Sequence, residues 1–252
     1  MKKFTALILK KHEINYWECI SCGSLQTDTP FWLSEAYAHG NLTYLDVGAV
    51  QRNINNFSII SLLSRLIDVK NILDHGGGDG MLCRSLRDIG LNVYVSDKYA
   101  SLTYAKGFDN PNFSCPELSL AFEVFEHFVN PEIDIDHVFE KCPDFLLVST
   151  VLYGGQDSEW WYLSKETGQH IFFYTRRAMQ VIAQKYGYQV LFSSDYVFFY
   201  KSLDFFRRKL IKKILSVKLR RLVRLWAIDT PVIGLDRDYK YLIDHFKYEK
   251  NT

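Results

Sequence analysis

Hydrophobic residues change their spacing several times along this 252-residue chain, and each change predicts a different element. Over Gln51 to Leu66, Ile54, Phe57, Ile60 and Leu63, continued by Ile67, recur every three or four residues and so share one helical face. Asn71 to Leu73 reads as a short buried strand broken by three glycines. A helix follows from Gly80 to Ile89, ended by Gly90, and Val93 to Val95 is the next strand, closed by Asp97. Further strands are expected at 118–122, 145–150, 189–193 and 197–200, with helices at 131–141 and 175–186. Such alternation predicts an α/β fold, a mostly parallel sheet with helices on both faces and ligands at the carboxyl ends of its strands. The last two strands lie close together, which predicts an antiparallel hairpin at one sheet edge.

With 48% hydrophobic and 23% charged residues, the chain can bury a sizeable core and is not of the disordered class. Three regions are expected: 1–45, an N-terminal lid or satellite segment; 46–200, the main domain; and 201–252, a basic C-terminal extension. Five cysteines at irregular positions do not make a disulfide framework and point to a reducing compartment. Phe4 to Leu9, between Met1-Lys2-Lys3 and Lys10-Lys11, is too short for a signal-peptide core, and no apolar run is long enough to span a bilayer. A cytoplasmic protein is expected.

The most informative stretch is Leu73-Asp74-His75-Gly76-Gly77-Gly78-Asp79-Gly80. A strand that runs through glycines into a helix lets the backbone approach a ligand closely. The dinucleotide fingerprint fails because Met81 stands where its third glycine belongs, and no P-loop Gly-Lys-Ser/Thr is present. Asp79 puts an anion at the helix start where a pyrophosphate would sit, so a cationic or zwitterionic ligand fits better. Asp97, one βαβ step on, can accept hydrogen bonds from both hydroxyls of a ribose. The loop Asp74-x-Gly76-Gly77-Gly78-x-Gly80 together with Asp97 resembles class I S-adenosylmethionine-dependent methyltransferases. That resemblance spans about residues 46–200. It implies a Rossmann-like seven-stranded sheet and S-adenosylmethionine held by Asp74, Gly76, Gly77, Gly78, Gly80, Asp97 and Glu123.

Glu123, Glu126 and His127 would share one face of a helical turn at a strand end. Two roles, and a structural one, are open for them. His127, supported by Glu126 and His170, could take the proton of an acceptor. Alternatively Glu123, Glu126, His127 and His170 could ligate a divalent cation, magnesium or manganese, that acidifies an acceptor hydroxyl. The Glu123-x-x-Glu126-His127 set with His170-Ile171-Phe172-Phe173-Tyr174-Thr175-Arg176 resembles metal-dependent small-RNA 2'-O-methyltransferases, and its first part resembles ubiquinone-pathway O-methyltransferases.

Resemblance to methyltransferases of bacterial polysaccharide synthesis implies a sugar or glycan hydroxyl as acceptor, and the aromatic run Trp160 to Tyr162 agrees, since Trp161 and Tyr162 can stack on a sugar ring. Arg52 either holds a carboxylate of cofactor or acceptor or is a solvated helix-face arginine. RNA methylation and a non-catalytic cofactor-binding module are the alternatives. Cys19-Ile20-Ser21-Cys22 is half of a zinc ribbon, for which only His12 or His39 could complete the set. Residues 201–226 hold ten Lys/Arg and a single acid, a charge of +9 against +1 for the whole chain, so the rest carries −8. The apolar stripe Leu203, Phe206, Leu210, Ile214 and Val217 is out of phase with Leu219, Leu222, Val223 and Trp226, which predicts a break near Ser216. A basic amphipathic segment with aromatics is expected either to pack on the protein or to lie on an anionic membrane, there the inner membrane surface.

Overall fold

A computed structural model of the chain describes residues 1–38, 45–228 and 230–246. His39 lies outside the described residues.

The pattern of alternating elements is present. Strands β1 (Lys2–Ile8), β2 (His12–Glu18) and β3 (Leu25–Thr27) precede helices α1 (Leu33–Ala38) and α2 (Ala49–Ile67). Then come β4 (Asn71–His75), α3 (Met81–Asp88), β5 (Asn92–Ser96), β6 (Leu118–Phe122), α4 (Pro131–Glu140) and β7 (Phe145–Ser149). After β8 (Phe172–Phe173) follow α5 (Arg176–Tyr186), β9 (Gln189–Ser193) and β10 (Tyr196–Tyr200), and helices α6 (Phe205–Ile214), α7 (Arg220–Ile228) and α8 (Leu235–Phe246). The central sheet has the order β5-β4-β6-β7-β10-β9, with β4 and β5 parallel and the β9–β10 hairpin antiparallel at one edge. It has six strands among the described residues, where the resemblance implied seven, because residues 97–117 between β5 and β6 are turns and irregular chain.

The chain divides into two compact units. The first comprises Met1–Val50, Ala121–Lys141 and Phe145–Ser202. Its N-terminal part is more than a lid: β1, β2, β3 and β8 form a separate antiparallel sheet in that order. Alternation turns Ala6, Ile8, Ile14 and Tyr16 into a core shared with Trp32, Trp160 and Phe173. The short apolar stretch after Met1 is thus an amphipathic strand. Helix α5 starts where Thr175 accepts the amide of Ala178 and ends at Gly187, left-handed at φ 77°.

The second unit comprises Gln51–Leu120, Cys142–Asp144 and Leu203–Thr252. Here α8 is fastened to α3. The Arg87 guanidinium is buried, lies 3.6 Å from the Phe108 ring centroid, and donates through Nε (2.7 Å) and Nη2 (2.8 Å) to the carboxylate of Asp238, which also accepts from Arg84. Gly234 sits against the Arg87 carbonyl, where a Cβ would come within 1.9 Å, so only glycine allows this approach. The break predicted near Ser216 falls between Ile214, the last residue of α6, and Val217.

Removing one partner of a buried charge pair strands the other. Asp238→Ala is therefore expected to cost about 3–5 kcal/mol in urea unfolding. Replacing Arg84, Arg87 and Asp238 together by apolar residues should cost much less than that single change. Equal costs would show that the ion pairs do not hold α8.

Candidate functional site

The glycine loop lies wholly in the second unit. Gly76, Gly78 and Gly80 have φ of 64°, 59° and 84°, the left-handed region that L side chains avoid. A Cβ on Gly77 would fall 2.7 Å from Asp74 Oδ2, and one on Gly80 would fall 2.6 Å from Ala105 Cβ. At Gly78 nothing lies within 4 Å, so the backbone there faces open space. Asp97 secures this shape: Oδ2 accepts the Gly78 amide (2.9 Å), while Oδ1 accepts those of Tyr99 and Ala100 (2.8 Å each). Asp79 accepts the Met81 amide through Oδ1, so the helix start is already supplied with an anion. Beside Asp97 is a cavity of about 330 Å³ lined by Ser101, Leu102, Lys106 and Asp109 among others, of a size that takes a small ligand. Sequence reasoning missed these lining residues, which follow β5 in chain with no regular period. Asp74 is buried under the loop, and burial, with Asp97 adding to it, pushes its carboxyl up to about 7. Arg52 is half-buried near the start of α2.

The Glu–His cluster belongs to the first unit. After β6, Glu123 is left-handed at φ 54°, which turns the chain into the single 3-10 turn Phe125–His127. Glu126 is fully buried. Its Oε1 accepts the Tyr162 hydroxyl at 2.7 Å, and Oε2 has no hydrogen-bond partner. Burial raises its carboxyl to about 6, with the Tyr162 hydrogen bond acting against the rise. Glu123 accepts the Ser149 hydroxyl at 2.7 Å, and its Oε2 lies 3.3 Å from the Tyr162 hydroxyl. Tyr162 was expected to stack on an acceptor. Instead it is buried and positions the two carboxylates, while Trp161 beside it is 74% exposed.

His127 Nδ1 lies 3.0 Å from the Gln169 carbonyl, and His170 Nδ1 lies 2.7 Å from the Tyr162 carbonyl. A carbonyl only accepts, so each Nδ1 carries the hydrogen and each Nε2 the lone pair. One ligand atom each from Glu126, His127 and His170 lie within 4.8 Å of one another, the only such group of three or more among the described residues. Glu123 does not join it. Burial, and then the neighbouring His170, lowers the pKa of His127 to about 3, far from that of an efficient base near neutral pH. The set fits a divalent cation, since an unpartnered buried carboxylate oxygen and two imidazoles tied through Nδ1 to backbone carbonyls are what metal-ligating side chains need. The mixed donors suit manganese better than magnesium. Cys19 and Cys22 are free thiols, and His12 pairs with Glu35 at 3.1 Å rather than with them.

A family model described as a methyltransferase domain matches residues 48–192, more than half of the chain. The chain belongs to this family, and its fold is that of class I S-adenosylmethionine-dependent methyltransferases. Comparison with curated protein sequences finds no match. Among solved structures it is similar to the methyltransferase domain of bacterial CtHen1-C (19% identity, 58% of this chain and 96% of that one, TM-score 0.42). It is also similar to magnesium protoporphyrin IX methyltransferase from Synechocystis PCC 6803 with bound SAM (14% identity, 69% and 98% covered, TM-score 0.44). A third is 1,6-didemethyltoxoflavin-N1-methyltransferase from Burkholderia thailandensis (9% identity, 74% and 93% covered, TM-score 0.49).

Because the Asp74 carboxyl is raised from 3.8 to about 7, its stabilising contribution is full below the unfolded value and is lost as pH rises through about 7. Asp74→Asn should remove that loss, so without cofactor the variant is expected to gain roughly 2–4 kcal/mol relative to the native chain between pH 4 and pH 8. Urea unfolding across that range reads it. Parallel pH profiles would place the ionised carboxylate in a comfortable environment.

Proposed function

We propose that the protein transfers the methyl group of S-adenosylmethionine to a hydroxyl of a sugar or glycan intermediate of cell-surface polysaccharide synthesis, with a divalent cation held by Glu126, His127 and His170. The observation that carries the reading is that one ligand atom each from these three side chains lies within 4.8 Å of the others, on a fully buried carboxylate that leaves one oxygen without a hydrogen-bond partner. When bound, the cofactor supplies an electrophilic sulfonium methyl and the cation an acidified acceptor hydroxyl. The chain's own part is positioning. The Gln169 and Tyr162 carbonyls fix the two imidazoles, and the Tyr162 hydroxyl fixes Glu126. Gly78 and Asp97 present the backbone cradle for the cofactor, and Asp74 offers a carboxyl to its cationic head. The weak basicity of His127 speaks against the rival role of general base.

A sugar acceptor is supported by a cleft of about 470 Å³ in the first unit, where Trp17, Phe128 and Phe172 supply faces for a ring and Gln26 and Asp28 supply polar groups. Phe128 follows His127 in the chain, and Ile171, also in this lining, follows His170.

S-adenosylhomocysteine should raise the melting temperature where NAD does not, and Asp97→Ala should abolish the shift. Manganese should bind with a changed paramagnetic resonance spectrum that Glu126→Ala, His127→Ala and His170→Ala each erase, while the melting-temperature shift with S-adenosylhomocysteine survives. Methyl transfer to sugar acceptors should stop with chelator, return with manganese, and fall at least about a hundredfold in each of the three variants. Chelator-resistant transfer that dies only in His127→Ala would restore the base. Transfer to RNA and not to sugars would overturn the acceptor.

A further inference from the structure

We propose that helices α6 and α7 form a surface that docks on an anionic lipid bilayer. Helix α6 buries Ile211 and Ile214 on one side and turns Phe205, Phe206, Lys209 and Lys213 outward. Helix α7 buries Val223 and Ala227 and turns Arg221, Leu222, Leu225 and Trp226 outward. Phe206 is 81% and Trp226 73% exposed, large apolar side chains facing water on the most basic stretch of the chain. The apolar stripe read from the sequence would have tucked Phe206 and Leu210 inward. The helix is rotated instead, so that Ile211, Ile214 and Leu215 take the core and the phenylalanines are left outside.

Charge selects the occupant. Residues 201–226 carry +9 and the rest of the chain −8, so an anionic partner is drawn to this segment and repelled elsewhere. A second copy in a closed two-fold contact would set +9 against +9. RNA would use the Lys and Arg side chains, but Leu210, Leu222 and Leu225 have no role in phosphate contacts or base stacking. A bilayer of acidic lipid uses both: headgroups meet the cations, and Phe, Leu and Trp enter the interface while lysine stems snorkel. Among the described residues no helix is long and apolar enough to cross a membrane, so the contact would be peripheral. This inference does not depend on the acceptor or the cation.

The full chain should sediment with phosphatidylglycerol-containing vesicles at about 50 mM salt, be released at about 500 mM, and ignore pure phosphatidylcholine. The triple variant Phe206→Ser, Leu225→Ser, Trp226→Ser should bind roughly tenfold less or weaker. Lys209→Glu with Lys213→Glu should weaken the low-salt binding. All of these side chains are exposed, so each variant should keep the melting temperature and its shift with S-adenosylhomocysteine, which shows that it is folded and that the cofactor site is intact. Failure of the native chain to bind acidic vesicles at low salt would overturn the proposal. So would vesicle binding that the triple variant leaves unchanged, a dimer that the triple variant dissolves without any vesicle binding, or binding to polyuridine RNA in place of vesicles.

Discussion

A carboxylate with no access to water organises the first unit. Glu126 is fully buried, and a buried carboxylate is tolerable only if something neutralises or hydrogen-bonds it. Tyr162 does part of this, and the same hydroxyl lies within reach of Glu123, whose other oxygen is held by Ser149. The other oxygen of Glu126 has no hydrogen-bond partner, and a ligand atom of His127 and one of His170 lie within 4.8 Å of its carboxylate. The positive φ of Glu123 follows from this arrangement, because the chain must turn sharply after β6 to bring Glu126 and His127 to the same place.

The N-terminal sheet makes that place rigid. Strand β8 is only two residues long and pairs with β3, which anchors the chain just after His170. Before it, Trp32 donates to the Gly168 carbonyl at 2.8 Å and Gln169 donates to the Ala36 carbonyl at 3.0 Å, so the loop carrying His170 is gripped from the α1 side as well. Gln169 then presents its own carbonyl to His127. Side chains that must hold a ligand atom to within a fraction of an ångström need such support behind them. Residues 1–38 are therefore part of how the site is built.

The second unit reaches rigidity by another route. Its loop relies on three left-handed glycines and on Asp97, which spends its carboxylate on three backbone amides. Its C-terminal helix is locked by the buried Arg87–Asp238 pair. The basic helices before it are not covered in this way, and they carry the chain's positive charge on their outward side.

The sequence alone determined the elements whose signal is local. Strands 118–122 and 189–193 and the long helix over residues 51–66 follow from period and composition, and the glycine loop follows from residues that few other conformations would accept. Asp97 was legible because a βαβ unit has a nearly fixed length. The Glu123, Glu126 and His127 turn was legible as a cluster of titratable groups, but not that Glu126 would be fully buried while Glu123 is held by Ser149. Tertiary structure decided that, through Tyr162, 36 residues along the chain from Glu126. It also decided the N-terminal sheet, since β3 and β8 are too short to announce themselves and meet across almost 150 residues. The facing direction of Phe206 and Trp226 was settled the same way. Periodicity says which residues share a helical face, but only contacts distant in sequence say which face finds a core.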